Sequence, residues 1–215
     1  METAPNGPRN RLARERRAAT RSVIVDAAAE LFAEHGYVGT TIEQIAARAG
    51  VAVQTIYNAI GSKRAVLSRV LDVTASGPNA PMPVSEFLGA RIRSEPDPEA
   101  IVRTLADWFA EVNERTAAVF GVIRQAAAVD REVAALQSDR ARQRLAGYSE
   151  AARELIERHA LRPAMTPEDG AALIWTLGNP ETYRFLVTEL GWPTERYRTW
   201  IEAQLRAGLL GATPP

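Results

Sequence analysis

The sequence predicts an all-α protein, a small helix-turn-helix head followed by a larger helical domain, and three observations carry that reading. Apolar residues recur at i, i+3, i+4 and i+7 in one segment after another, the spacing of a buried helical stripe. No stretch of useful length alternates apolar and polar residues as a half-buried strand would. The punctuation is helical too: Asp97-Pro98, Thr166-Pro167 and Asn179-Pro180 each pair an N-cap residue with proline at the first helical position.

The head lies between Thr20 and Arg64. Ile24, Ala27, Ala28, Leu31 and Phe32 mark its first helix, which ends near His35. Ile42, Ile45, Ala46 and Ala49 mark the second, with Thr40 as N-cap and Glu43 completing a capping box. Gly50 stops it, because a C′ residue needs φ > 0 and glycine takes that without a Cβ penalty. A third helix runs from Ala52 to about Ile60, with Val53, Ile56 and Ile60 available for packing. Two helices joined by a short glycine turn and braced by a third form a DNA-reading helix-turn-helix. Gly61 then breaks the pattern, and Ser62 caps a fourth helix through Val66, Leu67, Val70 and Leu71.

Residues 1–19, with Pro5, Gly7 and Pro8, read as a flexible arm, either a solvated tail or a basic segment touching DNA. Residues 74–83 hold three prolines and a glycine and read as a linker, which places a domain boundary near residue 75. The predicted organisation is arm 1–19, head with linking helix 20–75, and C-terminal domain 76–215. In the last, helices are expected over Val84–Arg93, from Pro98 through Val112, over Thr116–Val129, from Asp130 to about His159, from Pro167 with a bend at Pro180, and from Pro193 through Leu209.

Composition bounds the function. The chain of 215 residues is 46% apolar, enough for a full core. It has no cysteine, so disulfides and thiolate metal sites are excluded. No run of about 18 uncharged apolar residues is present, and Asp26 and Glu30 interrupt the only apolar stretch near the N-terminus, so neither a membrane span nor a signal peptide is expected. A cytoplasmic protein is the expectation. Residues 1–73 hold ten basic side chains against seven acidic ones, and the remainder carries the opposite surplus of three. Between Arg9 and Arg21, six arginines meet only Glu15. The two histidines, His35 and His159, both end predicted helices, where a cation suits the helix dipole. Neither has a nucleophile or metal-ligand spacing nearby and no Gly-rich phosphate loop occurs, so no enzyme activity, metal or cofactor is expected.

Gly36-Tyr37, Thr40-Thr41, Ile45-Ala46, Ala49-Gly50-Val51, Thr55-Ile56-Tyr57 and Ser62-Lys63 stand at the spacing of the tetracycline-repressor (TetR) family head, which residues 20 to about 70 resemble. The stretch from Pro180 to Leu205 resembles the family's C-terminal part more weakly. The resemblance implies a ligand-responsive transcriptional regulator, most often a repressor, acting as a homodimer on a palindromic operator in double-stranded DNA. It assigns DNA contacts to Thr41, Val53, Gln54, Thr55, Tyr57, Asn58 and Lys63, with Thr41, Tyr57 and Lys63 on phosphates. Gln54 is the best base reader, since its amide can bond both edge groups of adenine; Asn58 comes second. Two departures stand out. Ala52 replaces the usual hydroxyl cap of the third helix, and Ala59-Ile60 replaces the frequent His-Phe. They favour an alternative, a helical dimeric interaction protein with weak or no specific DNA binding.

The resemblance also implies a pocket for a small-molecule effector in the larger domain, with Trp108, Phe120, Arg124, Tyr148, Trp175 and Tyr183 as candidate lining. Aromatics at helical spacing suit a plain core at least as well. Arg124 interrupts an apolar face, and either an anionic ligand or an internal Glu would answer it.

Overall fold

The computed structural model of the protein describes residues 8–77 and 84–211. The first residues of the arm and residues 78–83 of the expected linker lie outside them. Among the described residues every regular element is helical, and the only β-type pairing is an isolated bridge between Leu161 and Leu210. No described helix is long and apolar enough to cross a membrane, and no described cluster of His, Cys, Asp or Glu could hold a metal ion.

Backbone contacts divide the chain into two compact units. The first takes the chain up to Leu71 together with Gly121–Leu136; the second takes Asp72–Phe120 and the chain from Gln137 onward.

In the first unit α1 runs Pro8–Gly39. The flexible arm expected over residues 1–19 is therefore helical from Pro8. The sequence accounts for this: Pro8 suits a first helical turn, and the Arg, Ala, Leu and Glu that follow are strong helix formers. Gly36 interrupts α1 at φ 67°, so the regular helix ends beside His35 as expected. Next come α2 (Ile42–Ala49), α3 (Val53–Ala59) and α4 (Lys63–Ser76). Ile24, Ala28, Ile45, Ile56, Val66 and Leu67 are fully buried and tie the four helices into one small core.

The capping box of α2 lies one residue later than expected. Thr41 is the N-cap, its hydroxyl accepting from the Gln44 amide at 3.2 Å, while the Gln44 side chain accepts from the Thr41 amide at 2.8 Å. Thr40 is instead turned inward and fully buried, its hydroxyl facing the carbonyls of Gly36 (2.8 Å) and Leu31 (3.1 Å). It ties off backbone acceptors freed where α1 breaks.

The second unit adds α5 (Val84–Ser94), α6 (Pro98–Ala127), α7 (Arg131–Glu157), α8 (Pro167–Leu177), α9 (Pro180–Tyr183) and α10 (Thr194–Leu209), with residues 121–127 of α6 and 131–136 of α7 counted in the first unit. One continuous α6 replaces the two helices expected over 98–129. No breaker separates Val112 from Thr116, and the polar residues there bond without interrupting the helix. Thr116 donates to the Val112 carbonyl at 2.6 Å, and Asn113 reaches sideways to the Gly178 carbonyl and the Tyr197 hydroxyl. Asp130 caps α7, and Thr166 with Asp169 forms a capping box on α8. Asn179-Pro180 breaks the helix as its chemistry requires, and the chain continues past Tyr183 as one π-helical stretch, Arg184–Glu189. Gly178 at this break permits a close approach: a Cβ there would stand 2.3 Å from the Phe109 ring.

Candidate nucleic-acid interface and effector site

Three devices hold α3 in place. Gly50, at φ 66°, ends α2 by donating to the Ala46 and Ala47 carbonyls, and Ile56 anchors α3 in the core. From α1, Arg21 donates through Nε to the Ala59 carbonyl at 3.1 Å, satisfying an acceptor that the end of α3 leaves open. At its N-terminus α3 has no side-chain cap, because Ala52 offers no oxygen. The sequence placed this deficit correctly, but nothing in it pointed to Arg21.

With Ile56 inward, α3 presents Gln54, Tyr57 and Asn58 outward. Tyr57 is 49% exposed, and Val53 and Thr55 flank it half-buried. The Gln54 amide donates to Asn58 Oδ1 at 3.0 Å, one turn along, so the two candidate base readers form a single polar pair. Thr41 lies exposed at the start of α2; its oxygen accepts the cap bond, which leaves the hydroxyl proton available to a phosphate oxygen.

Lys63 does something the sequence did not reveal. Its ammonium donates to the Tyr37 and Thr40 carbonyls, both at 2.9 Å, and stands 4.2 Å from the Tyr37 ring centre. It thus clamps the α1–α2 junction from the first turn of α4, using two of its three donors. Burial pushes the ammonium below its usual value, with Asp130 opposing, and burial with Asp130 and Glu132 nearby raises the Tyr37 phenol to about 12. Behind α2, Arg48 bonds Glu30 at 2.9 Å and Glu34 at 3.1 Å, holding the Glu34 carboxyl below the usual range.

In the second unit Trp108, Tyr148 and Tyr183 lie within one apolar core with Phe109 and Tyr197. Their contacts are those of packed rings: Phe109 against Tyr148 at 5.4 Å and Tyr183 against Tyr197 at 5.0 Å, both edge-to-face. Trp175 is half-buried and donates from its indole to the Ala141 carbonyl at 3.2 Å. Phe120 lies under a guanidinium, that of Arg144, at 5.1 Å. Arg124 is counted in the first unit and the other five candidates in the second. Arg144 was not singled out in the sequence. The signal was there: four residues back from Tyr148 on a helix is the same face.

A core-anchored helix pair, joined by a glycine turn and presenting an outward-facing amide pair, is a helix-turn-helix. Residues 24–70 match the family profile "Bacterial regulatory proteins, tetR family", so the head carries that family's N-terminal domain, and the chain shares its fold with solved regulators of that family. Among solved structures it is similar to a TetR-family transcriptional regulator from Mesorhizobium loti (TM-score 0.68, 20% identity, 89% of this chain and 96% of that one). It is likewise similar to SmeT in its complex with triclosan (0.69, 22%, 89% and 92%). A third is NalD of Pseudomonas aeruginosa, the secondary repressor of the MexAB-OprM multidrug efflux pump (0.66, 22%, 90% and 97%). No curated protein sequence matches the chain.

Proposed function

We propose that this protein is a ligand-responsive, sequence-specific repressor that acts in the cytoplasm as a homodimer on a palindromic operator, without a cofactor. The observation that carries the reading is the face of α3. Gln54 and Asn58 offer amide donors and acceptors outward from a helix that Ile56 fixes in the core. A duplex's phosphates would be met by Thr41 and Tyr57, and by the remaining donor of Lys63. Dimerisation is supported by α8 and α10, which pack on each other, and by Phe185 and Leu190, which stand about half exposed just before α10. Large apolar side chains clustered at a surface favour a partner. A small-molecule effector and a repressor role follow by analogy with the triclosan complex of SmeT and with NalD. Effector binding would act through α4, which begins in the head and ends in the second unit, to displace the two heads from successive major grooves about 34–36 Å apart.

The test is the affinity of full-length protein for its selected duplex after Gln54→Ala or Tyr57→Ala. Losing one bidentate base contact costs about 1–3 kcal/mol. Unchanged affinity in both variants would remove α3 from the interface and leave the non-DNA-binding alternative standing.

A further inference from the structure

Arg144 is unlike the other inward-leaning arginines of its unit. Arg140 pairs with Asp72 at 2.7 Å, Arg158 with Glu154 at 2.7 Å, and Arg198 with Asp107, Glu195 and Glu202. Arg115 donates to the Thr74 and Ala75 carbonyls. Arg144 is half-buried and stacks on Phe120, yet has no hydrogen bond or ion pair with a described residue. Besides burial, Tyr148 bears on it first and favours its charged form, while Arg140, of the same sign, opposes it. One turn along, the buried Tyr148 points a hydroxyl that likewise has no hydrogen-bond partner among the described residues. No sealed side-chain nitrogen or oxygen among the described residues lacks a partner, so both polar ends must reach solvent-filled space.

Two donors on one helix face, with no partner among the described side chains and with solvent at their polar ends, are free to take an acceptor from a ligand without breaking an internal bond. Burial raises the Tyr148 phenol to about 12, so it keeps its proton and donates at neutral pH, as a guanidinium does through any of its N–H groups. We propose that Arg144 and Tyr148 bind the carboxylate of an otherwise apolar effector, with the Phe120 ring beside the first atoms of its apolar body. The guanidinium fork matches the two carboxylate oxygens, and the phenol donates a further bond. A monoanion fits better than a phosphate, because Arg140 is already neutralised by Asp72 and one guanidinium balances one charge. This rests on the effector-binding reading above and gives that effector a chemical class.

The test is calorimetry on the full chain without DNA, titrating 2-naphthoate and octanoate, each beside its uncharged amide. At least one acid is expected to bind about tenfold or more tightly than its amide, the scale of a hydrogen bond to a charged group. Arg144→Gln should abolish the preference, and Tyr148→Phe should reduce it about threefold, as for loss of one ordinary hydrogen bond. Arg144→Gln should also melt near the wild-type temperature, because no internal hydrogen bond or ion pair is lost and relief of the buried charge offsets the stacking on Phe120. Three results would each overturn the proposal: no preference for either acid, a preference that survives Arg144→Gln, or a marked fall in that variant's melting temperature. A protein that passes this test but binds no specific duplex would refute the regulatory reading alone. One that binds its duplex but prefers no acid would refute only the carboxylate site.

Discussion

Lys63→Met is the most informative single change in the head, because it separates a structural clamp from a phosphate contact. Methionine keeps the stem and removes the ammonium. What is lost is two charged hydrogen bonds of 2.9 Å, to the Tyr37 and Thr40 carbonyls, and the placement over the Tyr37 ring. Hydrogen bonds to charged groups contribute about 1.5–3 kcal/mol each, with partial exposure favouring the low end, and an exposed cation–π contact adds about 0.5–1 kcal/mol. Relief of the ammonium's own burial, the cause of its lowered pKa, offsets part of this. The net expectation is a loss of about 2 kcal/mol, read by denaturant unfolding of the head with a signal local to Tyr37. If the third donor also meets a phosphate, the slope of log affinity against log salt should flatten by about 1. A variant within about 0.5 kcal/mol of wild type, the range of ordinary surface substitutions, would refute the clamp. A stable variant with a flattened slope would return Lys63 to a phosphate role alone.

Three further outcomes follow from the same geometry. Ala52→Ser places a hydroxyl where α3 has no side-chain cap and should stabilise the head by about 1 kcal/mol in denaturant unfolding; no gain would mean that the N-terminus is already satisfied. Gly178→Ala sets a Cβ 2.3 Å from the fully buried Phe109 ring at an ordinary φ of −81°, so overpacking rather than backbone strain should cost about 1–3 kcal/mol, seen as a lowered melting temperature. Burial raises the Tyr37 and Tyr148 phenols to about 12, above the ordinary tyrosine value of 10.0. In the window between those values the unfolded chain has released phenol protons that the fold retains. The stability they contribute is therefore complete below about pH 10 and lost as pH rises through about 12. Phenolate absorbance from these residues should appear together with unfolding, and full titration in a still-folded protein would contradict their burial.

The sequence announced its helices through periodicity and caps, and the structure departs from it where side chains choose between local partners. Thr40 and Thr41 are both competent caps by sequence. The break at Gly36 decides between them, because it leaves carbonyls that only an inward hydroxyl can satisfy. Asn113 to Thr116 look like a polar interruption of an apolar helix, but their partners lie 65 and 84 residues away for Asn113 and one turn back for Thr116. The π-helical stretch after Tyr183 has no local signature. In the head, Gln54, Tyr57 and Asn58 were named through the resemblance to the TetR head, and all three stand exposed while Ile56 is buried. The clamp made by Lys63 was not legible, since it depends on carbonyls presented by a distant turn. Arg144 sits in a run, Arg140-Ala-Arg142-Gln-Arg144, that reads as a solvated face until Phe120 on another helix is seen against it.

Selection of bound fragments from a random duplex library at physiological salt bears most directly on the central claim. Wild-type protein and a Gln54→Ala, Tyr57→Ala double variant would be taken through it in parallel. Two outward α3 faces in a homodimer predict a palindromic motif with half-sites about one helical turn apart, and loss of that motif in the variant. A folded, dimeric wild-type protein that enriches no motif, or a variant that enriches the same one, would contradict the assignment of α3 as the element that reads DNA.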